Sequence, residues 1–171
     1  MPNTSSILLG TATMPLKSLL HSSSIPLGWF PTFIENQNHS EPLAIGAVQA
    51  RLTMERPLPI SSTSPAMASS PVAVKKSQPF DCRVTVEVEE ISPPSTLSKA
   101  TGFFVLYQFF GAPEPVSSET VEPSSSTLDR KNLWLPIQHS STFIVTNNAE
   151  FTCYLRAEKL QVQLWATSQS G

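Results

Sequence analysis

Charged side chains are scarce in this sequence. They make up 14% of the 171 residues, where about 25% is usual for a globular domain. The 11 basic and 13 acidic residues leave a net charge of −2, so the chain lacks the positive field typical of nucleic-acid-binding proteins. The longest basic run is Lys75-Lys76, short of the about four to eight residues that hold an anionic membrane. We therefore expect no nucleic-acid partner, and membrane binding that is weak or absent.

Long apolar runs are also missing. No stretch approaches the about 18 residues that cross a bilayer, and residues 1–4 lack the features of a secretion signal. The expected location is the cytoplasm. The only two cysteines, Cys82 and Cys153, lie among alternating apolar residues, and we expect both to be buried free thiols, since a disulfide needs an oxidising compartment.

Residue types suited to catalysis or metal binding are few. His21, His39 and His139 each lie in a different predicted loop, without the short ligand spacings typical of metal sites. The sequence contains no Gly-x-Ser-x-Gly elbow and no glycine-rich phosphate loop. It therefore predicts no catalytic residue, no metal site and no cofactor, and we expect that the chain is not an enzyme.

The chain has only 6 glycines but 16 prolines. So many prolines disfavour long helices. Apolar residues instead alternate with polar ones in short segments about ten residues apart, a pattern typical of an all-β antiparallel sandwich. One helical turn is predicted at 17–21. The predicted strands are 7–16, a segment opening at 28–31, 47–55, 82–88, 103–110, 132–137, 142–146, 150–156 and 160–166.

Proline- and serine-rich stretches divide the chain. Residues 56–79 hold five prolines and six serines and cannot bury enough apolar surface to offset the entropy of ordering them, so they predict a mobile linker between blocks 1–55 and 80–171. Residues 113–127 predict a surface loop for the same reason. Pro31 is expected to keep its segment from pairing in the centre of a sheet.

Aromatic residues are the candidates for contact with a partner, because they commonly anchor protein interfaces. In a sandwich the same residues also serve as core or rim, and both interpretations stay open. Residues 103–110 are apolar on both faces, which fits either a covered central strand or an exposed binding face. The possible partner-contact residues are Trp29, Phe30, Phe33, Trp134 and Trp165.

The order of these segments resembles the C2 domain family. Leu9–Leu16 is similar to that family's apolar-Gly-x-Ala-x-apolar-Pro-Leu strand, and Gly28–Pro31 and Gly46–Met54 resemble the segments that follow it. The second block resembles the opening of a C2 domain, with a Val-rich strand at 82–88 and, at Leu160–Trp165, the family's Leu-x-Val-x-apolar-Trp-Asp strand. The resemblance implies that 1–55 is the C-terminal part of one C2-like domain and 80–171 the N-terminal part of another.

Tandem half-domains of this kind resemble the multi-C2 centriolar family, the C2 domain-containing regulators of centriole elongation. The chain departs from calcium-binding members, because Ala166 occupies the aspartate position of the Trp-Asp motif and the loop 91–100 holds no carboxylate. The two aspartates of the chain, Asp81 and Asp129, are too few for a calcium site. The resemblance therefore implies a module that does not bind calcium.

The expected function is a calcium-independent protein-interaction module of a centriolar, ciliary or cytoskeletal scaffold, in the cytoplasm and at the centriole or ciliary basal body. Two alternatives remain: a module that binds phospholipid headgroups, and a truncated fragment without independent activity. A further hypothesis is that both blocks complete one sandwich in permuted strand order, with 7–16 and 46–55 beside 80–166. C2 domains have neighbouring chain ends and occur in two circularly permuted topologies, which makes this arrangement feasible.

Overall fold

The computed structural model describes residues 4–34, 41–56, 79–95, 97, 99–124 and 133–169. Most of these residues are in antiparallel strands, so the all-β prediction is confirmed, and the single bent sheet is compatible with a C2-like sandwich. The strands follow the order β6-β5-β8-β1-β2-β3-β4-β7. The elements are β1 (Thr4–Pro15), a 3-10 turn (Lys17–Leu20), β2 (Ser24–Ile34), β3 (Leu43–Glu55), β4 (Phe80–Ser92), β5 (Ala100–Tyr107), β6 (Val116–Ser117), β7 (Leu135–Asn147), α1 (Ala149–Ala157) and β8 (Lys159–Gln169).

The two sequence blocks pair directly with each other. Strand β3 pairs with β4 from Ala47 opposite Ser92 to Glu55 opposite Arg83, and β1 pairs with β8 along its whole length. The expected strand pairing across the linker is therefore confirmed. Apart from its two end residues, the linker 56–79 lies outside the described residues, and its mobility stays a prediction.

Alternation of side chains places the core on the inner face of the sheet. On β8, Leu160, Val162 and Leu164 are buried, whereas Gln161 lies on the outer face. The same period-2 pattern, which follows from strand geometry, is present on β3, β4 and β7. Removing such side chains from water stabilises the fold by about 1.5–3 kcal/mol each. The other inner-face core residues include Ala12, Met14, Val48, Ala50, Leu52, Val84, Val86 and Val88.

The sheet bends until its two end regions meet. The Tyr107 side chain of β5 packs against β7, where its hydroxyl lies 3.1 Å from Nε2 of His139 and its ring centroid 6.5 Å from that of Phe143. The Ser141 hydroxyl is also within 3.2 Å of His139 Nε2. His139 was expected in a loop, but it lies within β7, and these contacts bring the two ends of the sheet together.

A glycine permits the close approach of three strands at the start of β3. A Cβ atom at Gly46 would lie 2.5 Å from the carbonyl oxygen of Ser92 on β4 and 3.1 Å from Oγ1 of Thr32 on β2. No side chain fits at such separations, so only glycine can pair there without moving a backbone. Close packing of β2, β3 and β4 therefore requires a glycine at position 46.

The prediction of a strand at 150–156 is wrong, because these residues form helix α1. Asn148 caps the helix through its Oδ1, which accepts a hydrogen bond of 2.9 Å from the Phe151 amide. Phe151 and Leu155, four residues apart, are buried on the same face. Cys153 consequently faces solvent, contrary to expectation, whereas Cys82 is buried as predicted.

Pro31 does not keep β2 out of the interior of the sheet, and that prediction is wrong. Strand β2 lies between β1 and β3, and Pro31 is in register with Ala47 of β3. On its other side, β2 pairs with β1 only through Phe33 and Thr32. Pro31 lies outside that short ladder, so the lack of an N–H group at this position costs no hydrogen bond to β1.

Two further segment predictions need correction. The separate strands expected at 132–137 and 142–146 form one strand, β7, and the predicted loop 113–127 contains β6 and an isolated bridge between Val121 and Phe103. Of the two interpretations of 103–110, the structure favours the internal strand, because β5 is paired with β6 on one side and β8 on the other. Its inner-face residues Phe103, Val105 and Tyr107 are buried, whereas Phe104 and Leu106 on the outer face are half-buried.

Candidate interaction surface

Four of the five predicted partner-contact residues lie on the outer face of the sheet, and three of these four are on β2 or directly before β7. Trp29 and Phe33 point outward from β2, because Thr32 on the opposite face is fully buried. Trp134 precedes β7 and points outward between the buried side chains of Leu133 and Leu135. We call the exposed set Trp29, Pro31, Phe33 and Trp134 the aromatic patch.

The two tryptophans of the aromatic patch contact each other. Their ring centroids are 4.5 Å apart and the ring planes are inclined by 80°, which is the edge-to-face geometry that aromatic rings favour. Trp29 remains 36% exposed and Trp134 51% exposed. Large apolar side chains that are held by a neighbour and still face water are typical of an interaction surface.

The other two predicted contact residues lie elsewhere. Phe30 is on the inner face of β2, where it is partly buried and packs against the core. Trp165 lies on the outer face of β8 and stacks on Phe104 with a centroid distance of 6.2 Å. Its Nε1 donates a hydrogen bond to Oε1 of Gln163. Neither residue is part of the aromatic patch.

Opposite charges pair on the outer face of β3 and β4. The Arg51 guanidinium donates two hydrogen bonds to the Glu87 carboxylate and lies 3.7 Å from Glu89. The hydrogen bond from Arg51 holds the pKa of Glu87 below its usual range. A second pair joins Arg83 to Glu55 at 3.3 Å. These two arginines therefore contribute little net positive charge to the surface.

Potential metal ligands are dispersed within the described part of the chain. No group of three or more His, Cys, Asp or Glu residues is placed there to hold a metal ion. Asp81 accepts a hydrogen bond from the Thr146 hydroxyl, Ala166 is buried in β8, and His21 is exposed in a turn. His39 and Asp129 lie outside the described residues.

The polar contact between Tyr107 and His139 was not predicted from the sequence. Burial raises the pKa of Tyr107 and lowers the pKa of His139, because a charge on either ring would be poorly solvated. The exposed Ile144 of β7 was also missed, at 64% exposure. The β-branched residues of Thr142–Thr146 indicate a strand, but the sequence alone does not place that strand at the edge of the sheet.

Acid is expected to destabilise the protein through His139. Its lowered folded-state pKa means that the unfolded chain, with a histidine pKa near 6.5, binds the proton first as the pH falls. The contribution of the neutral His139 ring to the free energy of unfolding is therefore complete above the unfolded pKa and is lost as the pH falls below it. We expect the melting temperature of the His139→Gln variant to fall less than that of the wild type between about pH 8 and about pH 5. Equal decreases would show that His139 keeps its ordinary pKa in the folded protein.

No helix in the described segments has the length and apolarity needed to cross a membrane. No protein-family model matches the chain, and no curated protein matches it.

Proposed function

We propose that the chain is a calcium-independent, C2-like protein-interaction module of a centriolar, ciliary or cytoskeletal scaffold. The observation that carries the protein-binding part is the aromatic patch, where Trp29 and Trp134 pack edge to face and remain exposed. Paired tryptophans of this kind form the well-ordered anchors that dominate protein interfaces. Proteins are therefore the proposed partners.

The charge arrangement favours a protein partner over a phospholipid surface. A headgroup-binding sheet needs unpaired basic side chains along one face, whereas Arg51 is matched by Glu87 and Arg83 by Glu55. Arg156 and Lys159 lie at the end of α1 and the start of β8, not on β3 or β4. No continuous basic stripe follows the outer face of β3 and β4.

The C2-like character is supported by the pairing of β3 with β4 and of β1 with β8, which is the arrangement expected of two C2 halves that complete one sandwich. The absence of calcium dependence is supported by Ala166, which holds the position of the family's aspartate. The proposed location at the centriole or basal body rests on the sequence resemblance alone.

The test compares the double variant Trp29→Ala/Trp134→Ala with a matched control, Ile7→Ala, in which another exposed apolar residue is truncated. Each form is expressed in ciliated cells with a proximity-labelling tag. We expect the wild type and the control to be enriched at the basal body with a common set of labelled neighbours. The double variant should lose most of that set while still unfolding cooperatively, as expected of an intact fold.

Vesicle sedimentation tests the alternative that the module binds phospholipid headgroups. Vesicles that contain phosphatidylserine are mixed with the wild type, with and without calcium, and we expect the protein to stay in the supernatant in both cases. Sedimentation, or equal labelling by the double variant and the wild type, would contradict the proposed function.

A further inference from the structure

We propose that the outer edge of β7, over Thr142–Thr146, is a second binding site that takes an extended peptide segment of another protein by strand addition. This site is separate from the aromatic patch and goes beyond the proposed function, because it recognises main-chain groups rather than aromatic anchors.

Strand β7 ends the sheet, and within the described part of the chain it has a partner strand on one side only. It pairs with β4 on one side, and it is the last strand in the sheet order. On the other side, the described residues form no ladder with it. In an antiparallel pair, alternate residues direct their N–H and C=O groups away from the partner strand. The free side of β7 therefore presents donors and acceptors in the spacing of a strand.

The open part of this edge lacks the usual protection against pairing. Natural edge strands carry charged residues, prolines or bulges that prevent association. In β7, Pro136 and the positive φ of 49° at Gln138 disturb only its first part. From Ser140 to Thr146 the strand has no charged residue and no proline, and three of the five residues in Thr142–Thr146 are Thr or Val.

A groove of suitable size runs along this edge. Strand β5 contacts β7 through Tyr107 and Phe143. A groove of about 650 Å³ lies between the chain segment 110–116 and residues 142–148, a volume within the range of ligand sites. Ile144 stands exposed on β7 beside the groove. The groove lies at the seam where the bent sheet fails to close.

The shape and charge of the groove select its occupant. A second copy of the chain would have to offer its own β7, whose free edge is already flanked by its own segment 110–116. A single extended peptide carries no such segment and enters freely. Glu114 is the one charged residue among those that line the groove in the described chain. The preferred occupant is therefore an extended, β-branched peptide with a basic residue near one end.

The probe is a short peptide that alternates Val and Thr and has Lys at both ends, added to the full-length chain labelled with ¹⁵N. We expect shifts of the amide signals of Thr142–Thr146 and Val116. Two further peptides carry N-methyl groups on alternate residues, one in each phase. Because only every second peptide amide faces β7, one phase should lower the affinity about tenfold or more, through the loss of several hydrogen bonds, while the other leaves it nearly unchanged.

Side-chain variants give a second readout. The Ile144→Lys variant should weaken binding of the probe, since it repels the lysines of the peptide and removes a cross-strand contact, whereas Ile7→Lys, at similar exposure, should not. Replacing the terminal lysines of the peptide by glutamates should weaken binding about two- to fivefold at low salt, and Glu114→Gln should remove that difference.

Three results would overturn the proposal. The first is the absence of shifts at Thr142–Thr146 at millimolar peptide, and the second is an equal loss of affinity for both N-methylated peptides. The third is broadening of the β7 signals that depends on protein concentration without peptide, because it would identify a second copy as the occupant. Shifts confined to the aromatic patch would overturn the strand-addition site and leave the proposed function intact. The Trp29→Ala/Trp134→Ala variant, which should lose its proximity-labelled neighbours, should still bind the peptide at Thr142–Thr146.

Discussion

A chain that contains residues 80–171 alone is expected to lose cooperative unfolding. Without the first block, β4 loses its pairing with β3 and β8 loses its pairing with β1. The core also loses Met14, Val48 and Leu52, at about 1.5–3 kcal/mol for each large side chain. Because a domain is stable by only about 5–15 kcal/mol, the remaining block should not fold. Thermal melting followed by circular dichroism should show no sigmoidal transition.

The matched control keeps both blocks but cuts their connection. A specific protease site placed within residues 57–78 and cleaved after purification should leave the two pieces associated through β3 and β4. The cleaved protein should elute as a single species and melt cooperatively. A cooperative melt of block 80–171 by itself would contradict the shared core, and so would separation of the cleaved pieces on a sizing column.

Truncation of Phe151 is expected to have the largest effect of any single substitution proposed. The ring is fully buried and lies 5.3 Å from the ring of Phe110 and 6.3 Å from that of Phe109, centroid to centroid. Replacing such a ring by alanine leaves a cavity that costs about 3–5 kcal/mol. We expect Phe151→Ala to lower the urea midpoint strongly in equilibrium unfolding followed by fluorescence.

The control for Phe151→Ala lies on the exposed side of the same helix. Cys153→Ala removes an exposed thiol and introduces a better helix former, so the urea midpoint should stay the same or rise slightly. If residues 150–156 formed the strand predicted from their alternation, residues 151 and 153 would share a face. The two substitutions would then destabilise the protein to a similar degree.

The strands were predictable where one face of the strand is exposed to solvent. In 47–55 and 82–88 polar residues separate the apolar ones, so period 2 is unambiguous, and both segments lie in strands with the expected faces. Segment 150–156 contains both patterns at once. Phe151, Cys153 and Leu155 alternate as in a strand, while Phe151 and Leu155 also have helical spacing. Only the side-chain cap from Asn148 and the packing against the aromatic residues near 109–110 favour the helix.

Three residues of the aromatic patch, Trp29, Phe33 and Trp134, were named from the sequence as possible contact residues, but their arrangement was not predictable. Trp29 and Phe33 share a face because strand alternation places them there. The contact between Trp29 and Trp134 depends instead on how β2 and the start of β7 approach each other. Strands β3 and β4 lie between them in the sheet, and their bend decides that distance. Single-strand periodicity carries no information about such a bend.

The contact between Trp29 and Trp134 also joins the two sequence blocks optically. One indole comes from the first block and the other from the second, and their rings lie 4.5 Å apart at nearly a right angle. Two identical chromophores at that separation share their electronic excitation, and the inclined ring planes make the shared excitation chiral. We expect this coupling to give a circular-dichroism couplet that disappears when the two blocks separate. The near-ultraviolet circular-dichroism signal of these tryptophans should therefore follow the docking of the two blocks without an added label.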